Sequence, residues 1–152
     1  MEYKARINWK RHSTAFDTKS YPRNHYIYFG GGVAIEASSA PEFLGHAELP
    51  NPEELFVSSI SSCFMLTFLY WAATRNLVID EYTAEAIGKL TKNNEGKMAI
   101  TEVIIKPSIT FHENSQPEPT VLNELFQKAH DNCFISNSVK SKISIKSESI
   151  TA

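Results

Sequence analysis

The chain has 152 residues, 42% of them hydrophobic, 21% charged and 11% aromatic, and a formal net charge of -2. That length suits one domain able to bury about two-thirds of its unfolded surface, and the composition excludes a disordered or fibrous chain. Lys and Arg are scattered and the sequence pI is about 6.2, which argues against a nucleic-acid partner.

The amino terminus, Met1-Glu2-Tyr3-Lys4-Ala5-Arg6, has no apolar core of a signal peptide. The most apolar run, Phe64 to Ala73, is ten residues long and contains Thr67, whereas a membrane span needs about 20. The expectation is a soluble, cytoplasmic protein with no membrane partner, folded as a single domain over 1–152. Tyr3, Ala5, Ile7 and Trp9 alternate with Lys4, Arg6, Asn8 and Lys10, the period of a half-buried strand. Tyr26-Ile27-Tyr28-Phe29 and Val33-Ala34-Ile35 flank Gly30-Gly31-Gly32 and read as a hairpin.

After a loop from Ser38 to Pro50, a helix starts with Asn51 as cap, Pro52 at its first position and Glu54 as the reciprocal capping partner. It is expected to run to about Asn76. Its second half, apolar nearly all round, marks a helix buried at the centre of the molecule, with Tyr70 and Trp71 in the core. Tyr82 to Thr91 and Met98 to Phe111 form a long hairpin around Asn93-Asn94-Glu95-Gly96, and Pro107 suggests a bulge or edge. Pro117 and Pro119 lead into a second helix with Val121, Leu122, Leu125, Phe126 and Ala129 at 3–4 spacing, running down to Cys133. Ile143 and Ile145 give a short final strand. The class is α+β with mostly antiparallel pairing.

Cys63 and Cys133 lie 70 residues apart with no CxxC, which disfavours thioredoxin-like chemistry and a four-ligand zinc site. A reducing compartment disfavours a permanent disulfide. Two readings stand: small buried core residues, or a redox pair that needs a cation to hold a thiolate. Cys63 lies three turns into its helix, too far for the helix dipole to help, and spacing does not choose among the cations. His12, His25, His46, His112 and His130 lack the paired spacing of a helical metal site; His25 and His130 read as structural and helix-surface residues.

Asn51-Pro52-Glu53-Glu54-Leu55-Phe56 followed by Ser61-Ser62-Cys63-Phe64 resembles the NPE-L…-AC- segment of the OsmC/Ohr family, with the glutamate ten residues before the cysteine. Ala129-His130-Asp131-Asn132-Cys133-Phe134-Ile135-Ser136-Asn137 resembles its second cysteine motif, with Phe134 where relatives usually carry proline. Tyr21-Pro22-Arg23-Asn24-His25 and Ala40-Pro41-Glu42-Phe43 look like an OsmC-like subgroup. The resemblance implies two intertwined subunits, each with a long central helix packed on curved sheets, and active sites at the dimer interface.

It also implies a thiol peroxidase of organic hydroperoxides. Cys63 looks like the peroxidatic cysteine and Cys133 the resolving one. Glu53 looks like the glutamate that holds the activating arginine, and Arg23, forty residues before Cys63, looks like that arginine. Cys63 would become a sulfenic acid and then a disulfide with Cys133, reopened by a dithiol or lipoylated-protein reductant. No metal or organic cofactor is needed. Phe56, Ile60, Phe64 and Phe134 would favour an alkyl or fatty-acid hydroperoxide. A non-catalytic protein holding an apolar ligand and a thiol-disulfide exchange factor are the competing readings. Ten residues of unbroken helix rise about 15 Å, so either the helix breaks between Glu53 and Cys63, or a partner subunit supplies Glu53 and Arg23 in a homodimer.

Overall fold

The computed structural model describes residues 1–147 and the backbone of a last strand, Ser149–Thr151. The chain forms two compact units, one from Met1 to Leu55 and one from Phe56 onward.

The first unit carries three antiparallel strands in the order β1-β2-β3: β1 (Ala5–Asn8), β2 (His25–Phe29) and β3 (Ala34–Ala37). The β2–β3 turn closes through Phe29 N–H donating to the Val33 carbonyl at 2.8 Å. Gly32 makes that turn with φ of +89°, a backbone conformation open to glycine. The expected alternation of β1 does not bury a face, since all four of its residues are exposed. Downstream, the loop is tied by Ser38 N–H to the Pro50 carbonyl and makes a short 3-10 turn over Pro41–Phe43. Gly45 passes so close that a Cβ there would lie 1.6 Å from the Ser39 carbonyl oxygen.

α1 (Pro52–Thr74) is one unbroken helix of 23 residues. Its start matches the expected reciprocal cap: Glu54 N–H donates to Asn51 Oδ1 at 2.9 Å, and Asn51 N–H donates to Glu54 Oε2 at 3.2 Å. In the second unit a four-stranded sheet follows: β4 (Ile79–Lys92), β5 (Met98–Phe111), β6 (Lys142–Ile145) and β7 (Ser149–Thr151), with α2 (Pro119–Asn132) before β6. β4 and β5 pair antiparallel along nearly their full length. β6 and β7 both pair parallel to β5, so the sheet is mixed.

Pro107 was expected at a bulge or an edge. It sits instead in the central strand, fully buried, opposite Ala84. The bulges lie at Ile79/Glu81 and Lys89/Leu90. β6 pairs with residues 102–105 of β5 and β7 with 108–110. Pro107, which has no N–H to donate, falls in the gap between these two short partners.

The inward residues of β5, namely Val103, Ile105, Pro107, Ile109 and Phe111, alternate as a strand requires and are all enclosed. Onto them pack one stripe of α1 (Val57, Ile60, Phe64, Phe68) and one of α2 (Leu122, Leu125, Phe126, Ala129), forming a single core. Phe126 locks the two helices together, with ring centroids 5.2 Å from Phe68 and 6.2 Å from Phe64. α1 is long and apolar enough, by length and composition, to cross a membrane, but these core residues supply much of that hydrophobicity. It is not covered all round. Leu66 and Tyr70 are 61% and 63% exposed, and Trp71 is half-buried under the Lys128 ammonium. The core reading of Tyr70 is therefore corrected: it lies on the face of α1 that this chain leaves bare.

Candidate active site

The two cysteines come together although they lie 70 residues apart. Cys63 is one position off the buried stripe of α1 (Ile60, Phe64) and is half-buried for that reason. Cys133 follows Ala129 by four residues, so it extends the buried stripe of α2 by one turn, to the point where the helix ends. It is fully buried. Since the two stripes face one another across the same core, the thiols become neighbours. Both are free.

The Cys133 thiol is pushed above its ordinary pKa, first by burial and then by hydrogen-bonding influence from the adjacent Cys63. Ser136 opposes this through its hydroxyl and its backbone N–H. The N–H donates to Cys133 Sγ at 3.4 Å, an S-to-amide bond three residues along. The Ser136 hydroxyl is buried and, among the described residues, finds no partner besides this sulfur. Thr67 Oγ1 donates to the Cys63 carbonyl at 2.8 Å, anchoring the helix turn that follows the cysteine.

His130, expected on the helix surface, is half-buried, with Nδ1 enclosed and without a partner among the described residues. Phe134, expected near the site, is 80% exposed, whereas Ile60 and Phe64 are enclosed in the core. Ile60 and Phe64 therefore hold the helix in place and do not line an open pocket.

The first unit carries the other expected residues. Arg23 is fastened before any ligand arrives. Its guanidinium donates to the Tyr21 carbonyl and, at 2.6 Å, to the Thr18 carbonyl, and lies 3.7 Å over the Tyr21 ring. Its Nε is buried with no partner among the described residues. The turn that presents these carbonyls is shaped by Asp17, whose carboxylate accepts from Lys19 N–H at 2.8 Å and Ser20 Oγ at 2.6 Å. Those bonds, that of Ser20 first, hold the Asp17 carboxyl below its ordinary pKa. Glu53 is half-buried in the first turn of α1; it is not among the groups that hold Arg23.

Arg23 also lines a cavity of about 340 Å³ with Ile7, Trp9, Tyr21, His25 and Ser39. Trp9 Nε1 braces it by donating to the Pro22 carbonyl at 2.6 Å. His25 Nδ1 lies 2.9 Å from the Arg23 carbonyl. A carbonyl only accepts, so this nitrogen carries a proton. Among the described residues, no cluster of three or more His, Cys, Asp and Glu side chains is gathered as a metal would need.

A family model described as OsmC-like protein matches residues 45–148, a span that contains both cysteines and both helices. The chain belongs to the OsmC-like family. An OsmC-like protein of unknown function from Vibrio cholerae has the same fold, with a TM-score of 0.93 and 38% identity over 99% of each chain. A structure of an organic hydroperoxide resistance protein from Elizabethkingia anophelis superposes with a TM-score of 0.72 at 20% identity, over 99% of this chain and 96% of that one. The protein YmaD of Bacillus subtilis is 24% identical over 128 residues, 83% of this chain and 85% of its own length.

Proposed function

We propose that this OsmC-like protein is a thiol-dependent peroxidase that reduces organic hydroperoxides, alkyl or fatty-acid, to alcohols. One observation carries the reading: a half-buried Cys63 beside a fully buried Cys133. A reacting thiol must be reached by peroxide and its resolving partner must lie within reach of the oxidised sulfur; here the half-buried Cys63 has Cys133 as its neighbour. As a thiolate, Cys63 attacks the distal peroxide oxygen. The O–O bond breaks, the alkoxide leaves and takes up a proton, and Cys63 becomes a sulfenic acid. Cys133 then attacks that sulfur, water leaves, and a disulfide forms. An external dithiol or a lipoylated protein reduces it.

Arg23 supplies the cation. A guanidinium stays charged and is weakly hydrated, so it can steady a thiolate in a partly dry site. Its anchoring to two carbonyls and the Tyr21 ring fixes its position in advance. In this reading Arg23 and Glu53 come from the partner subunit of a two-fold dimer, and α1 offers its bare Leu66 and Tyr70 face to that partner. The protein works in the cytoplasm, where dithiol reductants are plentiful.

Steady-state turnover with dihydrolipoamide, comparing cumene hydroperoxide, a fatty-acid hydroperoxide and hydrogen peroxide, tests this directly. The expected order of kcat/KM places both organic peroxides well above hydrogen peroxide. Absence of turnover with all three contradicts the proposal.

A further inference from the structure

We infer that the oxidised site is reopened by attack at the Cys63 sulfur, and that Cys133 leaves as a thiolate received by the Ser136 backbone N–H and hydroxyl. The inference rests on the proposed redox pair and extends it to how the pair is reset.

Thiol–disulfide exchange has two possible outcomes, since either sulfur can be attacked and the other must leave. Access and leaving-group stability decide between them. Access favours Cys63, which is half-buried, over Cys133, which has no exposed surface. Leaving-group stability favours the same outcome. Ser136 N–H already points at Cys133 Sγ, 3.4 Å away. The Ser136 hydroxyl is enclosed and, among the described residues, has no hydrogen-bond partner within reach other than the Cys133 sulfur that it influences.

A buried hydroxyl left without a partner destabilises a fold, yet this one lies beside a sulfur that becomes negative in the proposed step. When the anion forms, two donors are in place to meet it. Ser136 is thus placed to donate from both its N–H and its hydroxyl once the Cys133 thiolate forms. Burial holds the resting Cys133 thiol above its ordinary pKa and Ser136 works against that, as a group that favours the anion should.

The step balances as follows. One thiolate of an external dithiol attacks Cys63 Sγ, and a new sulfur–sulfur bond forms as the Cys63–Cys133 bond breaks. The electron pair of the broken bond goes to Cys133, which later takes a proton. The second thiol of the reductant then attacks its own sulfur in the mixed disulfide. Cys63 is released as a thiolate and the reductant departs as a cyclic disulfide, so the dithiol loses two electrons and the cysteine pair gains them.

To test this without relying on peroxide chemistry, the disulfide is formed with diamide. It is then treated with the monothiol 2-mercaptoethanol, quenched in acid, alkylated and mapped by peptide mass spectrometry. The expected product carries mercaptoethanol on Cys63 and the alkyl group on Cys133. In stopped-flow reduction by dithiothreitol, Ser136→Ala is expected to be about two- to tenfold slower, the share of one hydrogen bond. Ser136→Thr, which keeps a hydroxyl, is expected to recover most of the rate. Mercaptoethanol on Cys133, or Ser136→Ala reduced at the wild-type rate, overturns the inference and leaves the peroxidase reading standing. Failure of diamide to join the two cysteines contradicts both.

Discussion

Tyr82, in the second unit, has its hydroxyl enclosed without a partner among the described residues, while its ring lies 5.9 Å from that of Phe68. Burial pushes its pKa up to about 12. A folded-state value above the unfolded one of about 10 means that the folded chain holds this proton more tightly. The resulting stability is complete below pH 10 and is lost as pH rises from about 10 to about 12. Thermal melts across that window should show a steeper fall in wild type than in Tyr82→Phe. At neutral pH Tyr82→Phe should be as stable as wild type or slightly more so, because it removes an unpaired buried hydroxyl. A markedly less stable Tyr82→Phe would mean that the hydroxyl has a partner. Arg23 is tested by chemistry instead. Alkylation of Cys63 by iodoacetamide at neutral pH should slow in Arg23→Ala, and Arg23→Lys should restore it only in part, because the planar fork is lost. An unchanged rate in Arg23→Ala would remove Arg23 from the site. Ser136 was within the second cysteine motif read from the sequence, but its role was not visible there. Its one sequence signal is its place three residues after Cys133, the spacing at which a side chain can accept from a backbone N–H as a helical turn starts.

At the scale of elements, α1 separates what was legible from what was not. Its start was readable because capping is local: Asn51, Pro52 and Glu54 act within one turn. Its surroundings were not, because an apolar residue does not announce which surface covers it. Phe64 and Phe68 face the sheet, while Leu66 and Tyr70 face outward on the same apolar stretch. β6 was visible from Ile143 and Ile145, but its parallel pairing with β5 joins residues about forty apart in sequence, beyond the reach of a local pattern. β7 gave no such alternation and was missed. Pro107 was read by the rule that excludes proline from a central strand, and the break between β6 and β7 is what accommodates it. If the bare stripe of α1 meets a second copy, charges there should prevent it. Wild type should scatter light as a particle of twice the 17.1 kDa chain mass, and Leu66→Glu with Tyr70→Glu should move it toward the monomer with the secondary structure kept. A wild-type monomer would contradict the dimer.

For the molecule as a whole, the proposed chemistry needs two cysteines of unequal exposure, one cation and one reductant. The family resemblance in the sequence named the cysteines, and the fold gives a reason for their meeting: the buried stripes of α1 and α2 converge on β5, with Cys63 beside the first stripe and Cys133 at the end of the second. Periodicity alone could not bring together residues 70 apart, since each stripe reads equally well as plain core. The most direct measurement is a single-turnover titration of reduced protein with cumene hydroperoxide, followed by a dimedone-type trap and mass spectrometry. Cys133→Ser should consume about one equivalent of peroxide per chain and accumulate a trappable sulfenic acid on Cys63. Cys63→Ser should consume none. Peroxide consumption by Cys63→Ser, or a Cys133→Ser protein that is inert, would contradict the account.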